Sequence, residues 1–123
     1  MRILVVEPGK KPYESDIEDD YKEMQKIVGG LIEAVYPFDV ENNGTSAVLF
    51  CNEEGKLIGL EGNRHVGEHI IAGTFFIVGD SHDGDCCSLT DEQVTKYAEM
   101  FAEPEIIDEE EVQQDNYMTF MSW

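Results

Sequence analysis

The sequence predicts an α+β domain: a mixed, largely antiparallel sheet of about five strands with two helices packed on it. The chain has 123 residues, enough for one hydrophobic core. Short apolar runs bounded by glycine, proline or asparagine indicate strands, whereas two longer segments with helical spacing carry capping residues. The order β-α-β-β-β-β-α favours this class over a doubly wound α/β fold, in which strands and helices alternate.

Five segments are predicted to be strands: 2–7, 31–38, 47–51, 57–60 and 70–78. The first holds four consecutive apolar residues, which is typical of a strand buried on both faces. The third and fourth are predicted to pair as a hairpin across a polar turn at 52–56. Gly73 is expected to mark a bulge in the last strand, and 61–69 is expected to be irregular.

Both predicted helices begin at recognisable caps. Asp19 or Asp20 precedes a helix over 20–28, which Gly29 and Gly30 end. Thr90 precedes the second helix, and Gln93 three residues later completes a capping box. Pro104 ends this helix, so the predicted domain covers 1–104.

Residues 105–123 are predicted to be an acidic tail that ends in an aromatic segment. We expect the acidic run to be solvated. The aromatic end docks either on the core or on a partner.

The charge restricts the classes of partner. The chain has 27 acidic and 8 basic residues and a formal charge of −19. Affinity for nucleic acid depends on lysine and arginine neutralising phosphates, so a direct nucleic-acid partner is not expected. Anionic membrane surfaces are disfavoured for the same reason. No apolar run is long enough for a transmembrane helix and no signal peptide is predicted, which makes the cytoplasm the expected location.

Cysteine and histidine residues supply the candidate metal site. His82, Asp85 and Cys86 lie close together in one polar loop and carry ligand types that suit zinc. However, Cys86 and Cys87 are adjacent rather than spaced as C-x₂-C, and adjacent side chains in an extended segment point to opposite faces. A polar loop with one buried cysteine is the alternative. The three cysteines predict no disulfide framework.

Asn63, Arg64 and His65 are the candidate ligand-binding residues, because they lie among glycines and an arginine can bind an anion through two donors. The alternative is that Arg64 forms an ion pair with one of the many carboxylates. No signature of phosphate binding or of nucleophilic catalysis is present, so neither catalytic residues nor a cofactor are predicted.

Carboxylates concentrate toward both ends of the chain. Such an array can attract a basic protein, and in the extreme case it copies the phosphates of DNA. The alternative is that acidity only maintains solubility. The candidate acidic interaction surface comprises Asp16, Glu18, Asp19, Asp20, Glu23, Asp108, Glu109, Glu110 and Glu111.

Several motifs together resemble a family of unknown function found on phages, plasmids and conjugative elements of Gram-positive bacteria. They are VVEPGK at 5–10, GGLIEAVYPF at 29–38, CNEEGK at 51–56, GNR at 62–64 and IAGTFFIVG at 71–79. The resemblance extends to about residue 104 and includes the start of the second helix. It implies a role in handling host defences or in element transfer, and it transfers no catalytic residue.

Two functional hypotheses follow. The first is a non-enzymatic interaction module that binds a basic protein partner, with a DNA-mimic or counter-defence role as its most specific form. The second is a small-molecule or metal-binding protein that uses Arg64, His65, His69 and the loop from His82 to Cys87.

Overall fold

The fold is taken from a computed structural model that describes residues 1–38, 46–81 and 85–122. For 116–122 only the helical backbone is described. The elements in chain order are β1 Arg2–Val6, β2 Tyr13–Asp16, α1 Tyr21–Val28, β3 Ile32–Val35, β4 Ser46–Asn52, β5 Gly62–Val66, β6 His69–Ala72, β7 Phe75–Asp80, β8 Cys86–Cys87, α2 Asp91–Met100 and α3 Glu109–Ser122.

The main sheet is antiparallel throughout and has the strand order β2-β1-β7-β4-β3. The short strand β8 pairs with the end of β7, and β5 and β6 form a separate two-stranded hairpin. Helices pack on the sheet, so the predicted α+β class is confirmed. None of the helices described is long and apolar enough to cross a membrane.

Alternation along the central strands gives the sheet two apolar faces. Helix α1 covers one face, where Met24 and Val28 pack beside Val5 and Phe76. Helix α2 covers the other face through Tyr97. The hairpin β5–β6 lies on the same side as α2, because Ile71 belongs to the same core cluster. Both faces of the central strands are therefore buried, as predicted for the first strand.

The predicted helix caps are confirmed. Asp20 accepts a hydrogen bond from the Lys22 amide, and Gly29 adopts the left-handed conformation that ends α1. The Thr90 side chain and the Gln93 side chain form the reciprocal bonds of a capping box. These signals are local in sequence, which is why they could be identified without the fold.

The predicted hairpin between 47–51 and 57–60 is wrong. Strand β4 pairs with β3 on one side and with β7 on the other, so neither edge is left for 57–60. That segment turns back on itself instead, with the Leu60 amide donating to the Gly55 carbonyl. Leu57 and Ile58 are exposed.

Residues 61–69 contain strand β5 rather than irregular chain. The predicted strand 70–78 is divided into β6 and β7. Gly73 lies between them with φ +84, and its amide donates to the Glu61 carbonyl. This left-handed residue ends a strand rather than forming a bulge within one.

Helix α3 lies in the segment for which only an acidic tail was predicted. It packs against β6, and Val112 is buried in a small cluster with Ile70 and Ala72. The aromatic side chains at the end of this segment lie outside the described residues, as do residues 39–45.

Candidate functional site

Asn63 is completely buried and joins three parts of the fold. Its side-chain amide donates to the Val6 carbonyl at 2.8 Å and to the Gly73 carbonyl at 2.9 Å. Its side-chain oxygen accepts from Arg64 at 2.7 Å. The side chain therefore connects the end of β1 with the turn between β6 and β7, and it is not available to a ligand.

Arg64 is also buried, with 1% of its surface exposed. Its guanidinium donates to the Phe101 carbonyl at 3.0 Å and to the Lys10 carbonyl at 2.7 Å. Among the described residues, no carboxylate lies within salt-bridge distance of the Arg64 guanidinium. The ion pair expected as the alternative role of Arg64 is therefore wrong. Burial lowers the pKa of this guanidinium, while the nearby Glu105 opposes that shift.

The carbonyl of Phe101 explains how a cation is tolerated there. Phe101 is the C-cap of α2, and the last turn of α2 contains no basic residue. The C-terminus of a helix carries partial negative charge and unpaired carbonyl groups. Arg64 supplies from β5 the cation that this helix end lacks.

His65, the third predicted ligand residue, faces outward toward the C-terminal segment. Its Nδ1 contacts the Glu105 carboxylate, and its Nε2 lies 3.3 Å from Glu111. The hydrogen bond that the His65 ring donates to Glu105 is the largest cause that raises the pKa of His65, and desolvation opposes it. His65 thus binds the chain's own carboxylates and lies apart from the buried guanidinium.

A second carboxylate, that of Asp115, attaches α3 to the rest of the fold. Asp115 accepts from the Lys56 ammonium at 2.6 Å and from the Ile70 amide at 2.9 Å, and it lies 3.5 Å from the His69 ring. These donors hold the pKa of Asp115 below its usual value, although burial opposes them. Together with the buried Val112, this carboxylate attaches α3 to the hairpin β5–β6.

A pocket of about 530 Å³ opens between strand β3, the turn after β4 and the hairpin β5–β6. Its lining includes the apolar or weakly polar side chains of Val35, Cys51 and Ile71. Burial raises the pKa of the Cys51 thiol to about 12, so this group stays protonated and is a poor nucleophile. The pocket suits binding better than covalent chemistry.

The rim of this pocket is acidic. Glu33, Glu53 and Glu68 line it and are exposed. Lys56 and His69 also line it, but both lie beside Asp115. Arg64 and His65 do not contribute to the lining. Of the predicted small-molecule-binding residues that the structure describes, only His69 lines the pocket.

The predicted acidic surface divides into two groups on opposite sides of the sheet. Five of its residues have intramolecular roles: Asp16 binds the amino terminus, Asp20 and Asp108 bind backbone amides at the starts of α1 and α3, Glu23 pairs with Lys26 and Glu111 faces His65. Glu18 and Asp19 precede α1 on one side, whereas Glu109 and Glu110 begin α3 beyond the hairpin on the other.

The predicted metal site is only partly within the described residues. His82 lies outside them, whereas Asp85 is exposed and Cys86 packs against the core cluster below α1. Burial is the main cause that raises the pKa of Cys86, with Asp19 adding to it. Within 1–38, 46–81 and 85–122, no group of three histidine, cysteine or acidic side chains could hold a metal ion.

Sequence reasoning missed the pocket and the role of Asp115. The pocket walls come from 33–37, 51–57 and 66–72, which are brought together only by the fold. Asp115 had one available signal, namely that it follows Val112 by three residues on one helical face. Two residues at this spacing are too few to predict a docked helix, since an amphipathic helix shows several apolar residues recurring on one face.

Replacing Arg64 is expected to destabilise the fold strongly. Arg64→Met removes this donor from the buried Phe101 carbonyl and from the buried Asn63 side-chain oxygen, and each unsatisfied buried acceptor costs about 1–3 kcal/mol. We expect a loss of about 3 kcal/mol or more in the free energy of unfolding, measured by urea denaturation. Arg64→Lys should also be destabilising, since one ammonium cannot reproduce the planar set of donors.

Lys22→Met is the matched control for this prediction. Lys22 is exposed on α1, so its removal should change stability by no more than about 0.5 kcal/mol. An Arg64→Met protein as stable as this control would show that the buried guanidinium does not hold the fold.

Stability is expected to depend on the protonation of His65. The folded state raises the pKa of His65 above its unfolded value of about 6.5. The contribution of His65 is therefore fully present below that value and is lost as pH rises through the folded pKa. Urea denaturation at about pH 6 and about pH 9 should show a larger decrease for the natural chain than for His65→Gln. Equal decreases would contradict the role of this contact.

Comparison with known proteins gives the family and no more. The family model described as "Domain of unknown function (DUF3846)" matches residues 1–102. No curated protein and no solved structure matches the chain. The match includes β1 through α2 together with the Arg64 network, and it ends before α3. The chain belongs to the DUF3846 family, whose function is unknown.

Proposed function

We propose that this chain is a non-enzymatic interaction module that binds a basic protein partner. The observation that carries the proposal is the large excess of acidic over basic residues, 27 against 8. Arg2, Lys10, Lys26 and Lys56 each lie within salt-bridge distance of a carboxylate, and Arg64 is buried. Among the described residues, most carboxylates have no basic group within salt-bridge distance, so the field outside the protein attracts basic surfaces.

Some carboxylates bind groups of the chain itself, which reduces the number that could form a DNA-like surface. A strip that copies DNA phosphates needs its carboxylates along one face. The two acidic groups lie on opposite sides of the sheet, and five of the nine residues proposed for them bind groups of the chain itself. This arrangement favours a local contact with a basic segment over imitation of a duplex.

The family resemblance supplies the biological setting of the proposal. Relatives of this kind on phages, plasmids and conjugative elements would act on host proteins. A basic host protein concerned with defence or with element transfer fits both the charge and that setting. Counter-defence is the most specific form of the proposal.

A small-molecule function is the second candidate, and the pocket of about 530 Å³ favours it. Its volume lies within the range of about 300–1,000 Å³ that is typical of ligand sites. A thermal-shift screen of nucleotides, amines and metal ions tests this candidate. A shift of several degrees by one nucleotide or one metal ion would favour it over the interaction module.

Affinity capture tests the principal proposal. The immobilised chain is exposed to a lysate of a Gram-positive host at low salt, and bound proteins are released at about 0.5 M salt, where surface charges are largely screened. We expect mass spectrometry to find strongly basic proteins in the released fraction. Competition with duplex DNA then shows whether the partner binds nucleic acid through the same surface.

An unrelated acidic protein of similar size and net charge is the control. The proposal predicts proteins that the chain retains and this control does not. Capture of the same proteins by both would reduce the acidity to a non-specific property and contradict the proposal.

A further inference from the structure

We propose that the basic partner is bound at the outer edge of β3, where an extended basic segment adds to the sheet and places a lysine or arginine side chain in the adjacent pocket. This inference rests on the proposed function and names its site and the class of segment. The acidic residues proposed near the two ends of the chain do not line this pocket, although Asp16 lies on β2, the other edge strand of the sheet.

Strand β3 is the last strand in the order of the main sheet, and among the described residues it pairs with β4 alone. The Glu53 amide donates to the Leu31 carbonyl, and the register places Glu33 opposite Cys51. Backbone groups alternate in direction along an antiparallel strand. The N–H and C=O groups of Ala34 therefore point away from β4, toward the open edge.

An unpaired edge is a template for an added strand. Ala34 is exposed, so its backbone groups are accessible. An incoming segment would gain main-chain hydrogen bonds at this position without displacing any contact of β4. The recognition of backbone groups needs no particular sequence, so the pocket and its rim must supply specificity.

Side chains of β3 connect this edge to the pocket. Glu33 and Val35 both line it, and their partners Cys51 and Leu49 lie on the sheet face that α2 and the hairpin cover. Neighbouring strands lie about 4.8 Å apart with their side chains aligned. Alternate side chains of an added strand would therefore enter the pocket beside Glu33 and Val35.

The chemistry of the pocket fits a long basic side chain. Val35, Cys51 and Ile71 offer apolar contact for the aliphatic stem, and Glu33, Glu53 and Glu68 surround the charged end. Among the described residues none of these three carboxylates has a salt bridge. This charge complementarity selects a basic occupant over an acidic or purely apolar one.

The positive groups near the pocket do not oppose such an occupant. The Lys56 ammonium lies 2.6 Å from Asp115, and the His69 ring lies 3.5 Å from the same carboxylate. The side chains of Tyr36 and Leu57 flank the opening and are 67% and 71% exposed. They provide exposed apolar area beside the acidic rim. Tyrosine in particular is enriched among the residues that contribute most to binding at protein interfaces.

Peptide binding tests the inference. The probe is a fluorescent nine-residue peptide in which lysine and valine alternate, and its affinity is measured by anisotropy. Ala34→Pro removes the outward N–H, and proline is tolerated on edge strands whose N–H faces solvent. We expect this variant to bind at least tenfold more weakly, whereas Ala34→Thr, which keeps the N–H, should bind as the natural chain does.

A second pair of variants tests the rim independently of the strand. Glu33→Gln, Glu53→Gln and Glu68→Gln together remove three negative charges at the pocket. Glu18→Gln, Glu99→Gln and Glu109→Gln remove the same charge from exposed positions elsewhere. The rim variant should lose at least tenfold in affinity, and the remote variant should stay within about twofold, since distant surface charges are screened.

Several results would overturn the inference: no binding of the lysine peptide, equal binding by Ala34→Pro, equal weakening by the two triple variants, or binding of a peptide with glutamate in place of lysine. Circular dichroism and the unfolding midpoint establish that each variant is folded. If Ala34→Pro fails to fold, the two triple variants decide alone.

The lysate capture described above separates this inference from the proposed function. If Ala34→Pro and the rim variant retain the same basic proteins as the natural chain, the binding site is wrong while the interaction module stands. If the natural chain captures no basic protein, the proposed function itself fails.

Discussion

The buried guanidinium of Arg64 connects segments that are distant in sequence and fixes the side of the domain on which the pocket lies. It binds the carbonyl at the end of α2 and that of Lys10 in the loop after β1, while its neighbour Asn63 binds the last residue of β1 and Gly73. The hairpin β5–β6 is thereby held over one face of the sheet. Because that hairpin forms a wall of the pocket, the candidate site depends on this network.

The same hairpin carries the C-terminal helix. Val112 packs on Ile70 and Ala72, and Asp115 binds both Lys56 and the Ile70 amide. The family match ends at residue 102, so α3 is attached to the family domain from outside the matched region. By binding Lys56, Asp115 also compensates a positive charge at the pocket, so the helix influences the electrostatics of the site.

Local signals predicted much of the fold, and tertiary pairing determined the rest. The continuous apolar run in β1 and the caps at Asp20 and Thr90 depend on neighbouring residues, and each was found at the predicted place. Strand β5 was missed because Gly62, Asn63 and Arg64 look like a polar loop. Their burial depends on acceptors up to 57 residues away, which no local pattern contains.

The candidate site was less accessible to sequence reasoning. The net charge predicted a basic partner. Carboxylates are most concentrated near the two ends of the chain, so the predicted surface lay there and did not include Glu33, Glu53 and Glu68. These three are scattered in sequence and become neighbours only where β3, the turn after β4 and the hairpin meet. The open edge of β3 likewise follows only from the strand order, in which β3 is terminal and β4 is its one neighbour among the described strands.

Hydrogen exchange of the backbone amides of β3 tests the central claim most directly. The amide of Ala34 should exchange rapidly in the protein alone, because it points away from β4, the one described strand that pairs with β3. Binding of a basic segment should slow its exchange at least tenfold, with smaller effects on the inward-facing amides of Glu33 and Val35. Unchanged exchange in β3, together with new protection near Glu18 or Glu109, would contradict the account.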